Sequence, residues 1–430
     1  MRPLALSLVT LLTAGTAAVL GTSSPAAAAA PSCFDPAAPI TYEEGRIETP
    51  ALPGGGRVPY DLVRDGGLGT YPELLRRTLC AAPSVTAATL ALKVQGAALW
   101  QTAVARAQGK ITIGTIDAYD DRPLYWTRLL GTRDIRQWAP RFPVSAAQRS
   151  ALLKAYEYAA RGVTSTAFAP GTTKVLVSGF DPYQLNGEIR RSNPSGASAL
   201  QLDGRTWRTG GRTVQVQAVA LPVTWSGFDA GIVEDAFGPH LTRGSRDRAD
   251  LIMTISQGNR GVMNIEQWAA AWRGGNADNN NEGEPELIPP APRRPQPGPG
   301  PEFIETTLPH EAMVAAGTGP WPTALNPRLC EWAAGTRPTG PVTCRTDGPS
   351  AGAQSQSGGG GNYLSNESMY RSNRLRLALG ATDIPGGHLH ISALVYPADP
   401  LVVIDDAFAA DRAATVDQTV ALVKAAGSAA

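Results

Sequence analysis

The sequence predicts an α/β protein in which a three-layer α/β/α sandwich with a central mixed sheet follows a mainly helical region. Two observations lead to this fold class. After residue 170, short runs of β-branched and aliphatic residues alternate with helical patterns, which is typical of a sheet covered on both faces. Before residue 170, the apolar residues follow the spacing of amphipathic helices. The 430 residues, 43% of them hydrophobic, suffice for two folded units.

Residues 1–30 predict a signal peptide. Arg2 supplies the positive charge, an apolar run extends from Leu4 to Leu20, and the small residues Ala26 to Ala30 suit a cleavage site. No later segment has the roughly 20 consecutive apolar residues that a membrane helix needs. We therefore expect a secreted or otherwise exported protein that has no membrane partner after the signal is removed.

The charge balance argues against one class of partner. Lys and Arg total 38 against 37 for Asp and Glu, a net charge of +1. A nucleic-acid-binding protein would concentrate basic residues on one face. We therefore expect no nucleic-acid partner.

The cysteines fit an exported chain. Their even number favours disulfides, for which four cysteines allow three connectivities. The simplest connectivity pairs Cys33 with Cys80 and Cys330 with Cys344. There is no C-x-x-C motif and no histidine close to a cysteine pair, so we expect no metal site.

Residues 31–170 are predicted to be mainly helical, and the sequence assigns them no role. The helical pattern extends from Tyr71 to Ala107 and again from Ser145, a plausible cap, to Arg161. The one cluster of acidic residues, at positions 117, 120 and 121, is interpreted as ordinary surface carboxylates.

Residues 171–430 are predicted to form the α/β unit. Its strand candidates are Lys174 to Phe180, Val214 to Leu221 and Leu251 to Ser256, with a helix from Phe228 to Phe237. The proline-rich residues 285–301 predict an extended loop. Ligands of such folds gather at the carboxyl ends of strands, so the loops that follow these strands matter most.

The segment around Ser365 carries the clearest chemical signal. The glycines at 359–361 lead to this serine at the start of an apparent helix, and His390 follows on a β-rich segment. A serine hydroxyl needs such a base because it is a poor nucleophile at neutral pH. The alternative is that Ser365 is a helix N-cap, a role that serine favours.

Several stretches of the second half, in order, resemble pyroglutamyl peptidase type I, a cysteine aminopeptidase family that removes an N-terminal pyroglutamyl residue. The stretches that carry the resemblance are Val175–Tyr183 (VLVSGFDPY), Asn193–Ser195 (NPS), Ser256–Arg260 (SQGNR), Asn264–Glu266 (NIE), Thr307–Pro309 (TLP), Gly361–Asn366 (GNYLSN) and Gly387–Ile391 (GHLHI). The resemblance spans residues 174–410 and does not cover the helical half.

The resemblance implies a catalytic triad and no cofactor. Ser365 corresponds to the nucleophile, His390 to the general base and Glu266 to the group that orients His390. The implied ligand is a peptide with a blocked, pyroglutamyl N-terminus. The residues implied to bind its ring are Phe180, Tyr183, Asn193 and Gln257.

Each of these residues also has an ordinary interpretation. Phe180 suits the core, and Asn193 before a proline suits a turn. The resemblance places Glu266 on the family's glutamate-bearing helix, but judged without the family it would be an ordinary exposed carboxylate on a helix. His388 would face the same side of a strand as His390, and we interpret it as a neighbour.

Three departures from the family pattern affect the activity. Serine replaces the nucleophilic cysteine, Gln267 stands where the family has arginine, and Arg273 is a weak candidate for the family's oxyanion arginine. A serine avoids the oxidation that an exposed thiolate suffers outside the cell. Two hypotheses follow: a pyroglutamyl-peptidase-like hydrolase with a Ser-His-Glu triad, or an inactive binding module that retains the pocket.

Overall fold

The computed structural model describes residues 33–49, 56–298 and 300–430. The predicted signal peptide lies outside these residues. Within them, no helix combines the length and the apolar character needed to cross a membrane.

The first part of the chain is helical. Its helices are α1 (Tyr42–Gly45), a 3-10 helix (Arg46–Glu48), α2 (Val58–Asp65), α3 (Thr70–Ala81), α4 (Val85–Ala107), α5 (Arg122–Gln137) and α6 (Ala146–Ala160). The helical pattern over residues 71–107 corresponds to two helices, α3 and α4, because Pro83 interrupts the backbone hydrogen bonds and Ser84 caps the next helix. Ser145 caps α6 as predicted. A disulfide joins Cys33 to Cys80 on α3.

The second part contains a seven-stranded mixed sheet. The elements up to the middle of this part are β1 (Thr173–Phe180), α7 (Pro194–Leu202), β2 (Thr206–Thr209), β3 (Arg212–Leu221), α8 (Trp225–Asp229), α9 (Ile232–Leu241), β4 (Leu251–Gln257), β5 (Met263–Glu266), β6 (Trp268–Ala270), β7 (Trp272–Gly274), β8 (Pro285–Leu287) and β9 (Phe303–Glu305). The remaining elements are α10 (His310–Ala315), β10 (Thr323–Asn326), β11 (Leu329–Trp332), β12 (Val342–Arg345), β13 (Gln354–Ser357), α11 (Leu364–Ala378), β14 (Gly386–Ile391) and α12 (Asp406–Ala429).

The strand order is β10-β5-β14-β4-β1-β3-β2. Four central strands, β3, β1, β4 and β14, run parallel to one another. At the two ends of this group, β5 is antiparallel to β14 and β2 is antiparallel to β3. Strand β10 is parallel to β5. The sheet is therefore mixed, as the sequence predicts.

Helices cover both faces of this sheet and complete the sandwich. Val175 and Val177 pack with residues of α7 and α12, whereas Leu176 between them packs with residues of α8, α9 and α11. This alternation follows from the two-residue period of a strand. The helix predicted over residues 228–237 is two helices, because Gly231 at φ +88° ends α8 in a conformation that favours glycine.

Small sheets flank the sandwich. Strands β11, β12 and β13 form one of them, and a disulfide joins Cys330 on β11 to Cys344 on β12. Both disulfides follow the simplest predicted connectivity. The first residues of the proline-rich segment form β8, which pairs with β7, and a turn follows at residues 292–293.

Candidate active site

A cavity of about 630 Å³ opens at the carboxyl ends of the parallel strands β1, β4 and β14. Ser365, His390 and Glu266 all line it, together with Phe180 and Tyr183. The sheet supplies His390 and Glu266, and the start of α11 supplies Ser365. Residues that are more than 100 positions apart in the sequence therefore share one wall.

Ser365 lies in the first turn of α11. The N-cap of that helix is Tyr363, which makes no side-chain capping bond, so Ser365 is not the cap. Its Oγ is half-buried and donates to the carbonyl of Gly360 at 3.3 Å. The first-turn N–H groups of a helix lack intrahelical partners, and they favour negative charge nearby.

His390 and Glu266 form a buried pair. The Nδ1 atom of His390 lies 2.8 Å from Oε1 of Glu266, and their side chains are 10% and 2% exposed. Asn326 donates from Nδ2 to the other carboxylate oxygen of Glu266 at 2.8 Å. The same amide group donates to the carbonyl of Gly359 at 3.1 Å. With Glu266 as its acceptor, Nδ1 is the nitrogen that carries the proton in the neutral ring.

The helical position expected for Glu266 is wrong. It ends strand β5, opposite His388 in the antiparallel ladder with β14, and it is buried rather than exposed. Pairing of β5 with both β14 and β10 places this segment in the sheet.

Three glycines allow the backbone to approach this pair closely. A Cβ on Gly359 would lie 2.1 Å from Oε2 of Glu266, and a Cβ on Gly360 would lie 2.5 Å from Cε1 of His390. A Cβ on Gly258 would lie 2.8 Å from Cβ and 3.1 Å from Cδ2 of His390. Gly258 and Gly360 therefore both pack closely against the His390 side chain.

His388 is a neighbour of His390, as interpreted from the sequence. The two rings meet edge to face with centroids 4.6 Å apart. Its nitrogens lie 2.7 Å from Oγ1 of Thr254 and 2.8 Å from Oγ of Ser256. Burial, reinforced by His390, holds the pKa of His388 well below its usual value, so its ring is neutral.

An aromatic wall lies on the β1 side of the cavity. Phe180 is buried and stacks on Phe228 with centroids 6.0 Å apart. The hydroxyl of Tyr183 accepts from Nε2 of Gln257 at 3.0 Å, and burial raises the pKa of that hydroxyl. The Oε1 atom of Gln257 is buried and has no hydrogen-bond partner among the described residues. It is an unused acceptor on a residue that lines the cavity.

Asn193 also lines the cavity, next to this wall. Its Nδ2 donates to the carbonyl of Asp181 at 2.8 Å, and its Oδ1 accepts from the N–H and the hydroxyl of Ser195. The Ser195 hydroxyl oxygen in turn accepts from the N–H of Phe180 at 3.0 Å. Both amide atoms of Asn193 are therefore used within the protein, and its place is structural.

Arg273, the candidate oxyanion residue, does not line the cavity. Its guanidinium donates to both carboxylate oxygens of Asp229 at 2.9 and 3.1 Å and also pairs with Glu286. It stacks on Trp225 at 5.0 Å. The guanidinium also lies 3.8 Å from the carboxylate of Glu367, two residues after Ser365 on α11.

The helical first part of the chain holds the loop that bears the aromatic wall. Arg128 on α5 and Arg161 at the end of α6 both pair with the buried carboxylate of Asp181. Asn279 donates to the carbonyl of Pro182 at 2.9 Å and to Glu43 at 2.8 Å. Burial, with Asp181 as the next cause, raises the pKa of Glu43 to about 7.

The sequence suggested that the acidic cluster at positions 117, 120 and 121 lies on the surface. The structure shows otherwise for two of its members. Asp120 and Asp121 are buried. Asp121 accepts from the N–H of Asn193 at 3.0 Å and from the hydroxyl of Ser192. Burial and the charge of Asp120 raise the pKa of Asp121 to about 6.

Sequence reasoning missed Asn326 and Arg328. Both line the cavity, yet neither lies in a stretch that resembles the peptidase family. The described residues include no group of three or more His, Cys, Asp or Glu that could hold a metal ion.

Comparisons with known proteins follow the same division of the chain. The family model described as the PA0049 N-terminal domain matches residues 25–157, and that of the PA0049 C-terminal domain matches residues 174–297 and 328–395. The chain is 32% identical to "Uncharacterized protein PA0049" of Pseudomonas aeruginosa, covering 91% of this chain and 90% of that protein.

Two solved structures of pyroglutamyl peptidase I from Bacillus amyloliquefaciens are also similar. Both are 19% identical and cover 60% of this chain. The matches cover 95% and 98% of the solved chains, with TM-scores of 0.39 and 0.38.

Proposed function

The chain belongs to the PA0049 family, and we propose that it is a serine hydrolase that removes an N-terminal pyroglutamyl group from peptides. The observation that carries the proposal is the buried His390–Glu266 hydrogen bond in the cavity that Ser365 also lines. The motif resemblance supports the same three residues. A triad is recognised by geometry and role rather than by chain order.

In the proposed reaction, the Ser365 oxygen attacks the carbonyl carbon of the pyroglutamyl residue. His390 takes the hydroxyl proton at Nε2, while Glu266 stabilises the imidazolium through Nδ1. Collapse of the tetrahedral intermediate breaks the C–N bond, and the proton passes to the departing amine. Water, activated by His390, then hydrolyses the acyl-enzyme and regenerates Ser365.

Two features of the cavity support this substrate. The first-turn N–H groups of α11 provide donors for the developing oxyanion, a role that Arg273 does not fill. The pyroglutamyl ring is flat and uncharged, and it suits the wall of Phe180 and Tyr183. The unpartnered Oε1 of Gln257 offers an acceptor for the lactam N–H.

One observation favours a second candidate, an inactive module that binds a blocked N-terminus. The hydrogen bond of the Ser365 hydroxyl goes to the carbonyl of Gly360 rather than to His390. Calorimetry with a pyroglutamyl peptide, combined with product analysis, separates the two. Saturable binding without cleavage supports the module.

The experiment that tests the hydrolase measures fluorophore release from a pyroglutamyl arylamide. Ser365→Ala and His390→Ala should each remove most of the activity, and the double variant should lose little more, because triad members act as a unit. Ser372→Ala, on the same helix but outside the cavity wall, is the matched control.

Chemical labelling gives an independent test of the nucleophile. A fluorophosphonate should label Ser365, and thiol alkylators should leave the activity unchanged. Ser365→Cys should create an alkylator-sensitive enzyme if the pocket suits the family's nucleophile. Labelling at another residue, or full activity of Ser365→Ala, contradicts the assignment.

A further inference from the structure

Arg328 is a cation on the cavity wall that the proposed chemistry does not use. It is exposed, and its guanidinium makes no hydrogen bond or ion pair with any of the described residues. Among the residues that line the cavity, Glu266 is the single carboxylate and Arg328 the single lysine or arginine. Since His390 and Asn326 already engage Glu266, the positive charge of Arg328 is left for a ligand.

The backbone around Arg328 is fixed next to the triad. Its N–H donates to Oδ1 of Asn326 at 3.3 Å, and Asn326 holds Glu266. Its carbonyl oxygen packs against Gly359, where an added Cβ would lie 3.2 Å from it. The next residues, Leu329 and Cys330, are buried at the start of the disulfide-linked hairpin. The side chain is therefore presented from a well-anchored segment.

The order of strands gives the direction in which Arg328 lies. The aromatic wall follows β1, and Gln257 ends β4, on one side of the His390 strand. Arg328 follows β10, two strands from β14 on the other side. With neighbouring strands about 4.8 Å apart, β10 lies roughly 10 Å from β14. If the wall holds the pyroglutamyl ring, Arg328 lies on the side of the departing peptide.

We propose that Arg328 binds a carboxylate of the departing peptide, one or two residues beyond the bond that is cut. An extended residue spans about 3.5 Å. One or two peptide residues, together with the length of the arginine side chain, therefore bridge the distance from His390 to β10. A guanidinium binds carboxylates through paired hydrogen bonds. The inference rests on the proposed function, and it names short pyroglutamyl peptides with a free C-terminal carboxylate as the substrate class.

The test compares pyroglutamyl-alanine with its C-terminal amide. The wild type should cleave the free acid with a kcat/KM about tenfold higher, mainly through KM, since hydrogen bonds to charged groups are among the stronger ones. Arg328→Ala should bring the ratio of the two kcat/KM values close to one, and Arg328→Lys should keep part of the preference. Arg208→Ala, an exposed arginine away from the cavity, is the control and should keep the wild-type ratio.

A third substrate distinguishes the two sources of a carboxylate. Pyroglutamyl-glutamate α-amide carries its carboxylate on a side chain, so a preference for it would assign Arg328 to an acidic residue rather than to the C-terminus. An unchanged ratio in Arg328→Ala, or equal rates for acid and amide in the wild type, overturns the proposal.

Binding separates this proposal from the proposed function. If no peptide is cleaved, the hydrolase fails, and the same acid and amide are titrated by calorimetry into the Ser365→Ala protein. Tighter binding of the acid that disappears in the Ser365→Ala, Arg328→Ala double variant supports the carboxylate site without turnover. Equal affinities for acid and amide refute it.

Discussion

Gly360→Ala should inactivate the protein without unfolding it. Gly360 does not have a positive φ, so alanine fits the backbone and the whole effect comes from its methyl group. That methyl carbon would lie 2.5 Å from Cε1 and 3.2 Å from Nδ1 of His390. Carbon atoms pack at about 3.5–4.0 Å, so the ring must move by roughly 1 Å.

The imidazole has little freedom to make that movement. Gly258 also packs closely against the His390 side chain, and Nδ1 is held by Glu266. A misplacement of about 1 Å at a reacting group costs about a hundredfold in rate, or about 2.7 kcal/mol. The packing conflict should also lower the free energy of unfolding by about 1–3 kcal/mol.

The assay measures kcat/KM with a pyroglutamyl arylamide, the Tm, and the proton resonance of the His390 Nδ1–H group, which does not depend on turnover. Gly45→Ala is the control, because an added Cβ there meets nothing within 4 Å. A Gly360→Ala protein with wild-type activity and an unshifted resonance would refute the close contact.

Three further predictions concern groups around the site and in the flanking regions. Asn326→Ala should lower kcat and cost about 1–3 kcal/mol of stability, because a buried Glu266 oxygen loses its donor; unchanged kcat and Tm would contradict this. The pKa of Glu43 is raised to about 7 from 4.5, so the stability that its neutral form provides is complete below pH 4.5 and is lost as the pH rises through about 7. Urea denaturation measures the free energy of unfolding of Glu43→Gln and of the wild type at each pH. Between pH 4 and pH 8 this free energy should rise by roughly 3 kcal/mol for the variant relative to the wild type, whereas the same pH dependence in both proteins would exclude the effect. Replacing Cys330 and Cys344 with serine should lower the free energy of unfolding by about 3 kcal/mol, as the chain-entropy model gives for a loop of this length, and an unchanged Tm would argue against it.

The sequence predicts the parts of this structure that local pattern controls. The buried runs that become β1, β3 and β4 are found because they are continuous and apolar. Both disulfides are found because cysteine spacing leaves a simple pairing. Ser365 and His390 are identified because short motifs surround them.

The sequence fails where distant contacts decide the outcome. The segment around Glu266 contains good helix formers, yet its pairing with β14 and β10 makes it a strand. Asn326 carries no motif, and its contact with Glu266 depends on the register of that pairing. Asp121 resembles a surface carboxylate because nothing nearby in sequence shows that it meets Asn193, 72 residues away.

The pairing of Asp181 with Arg128 and Arg161 makes the two parts of the chain interdependent. The carboxylate lies in the α/β part of the chain, and both arginines lie in the helical part. Removal of one partner from a buried ion pair costs about 3–5 kcal/mol. Natural variation at these three positions is therefore constrained jointly, and a chimera that exchanges the helical part must bring matching arginines. The α/β part alone is a poor starting point for engineering, because its binding loop would begin with an uncompensated charge.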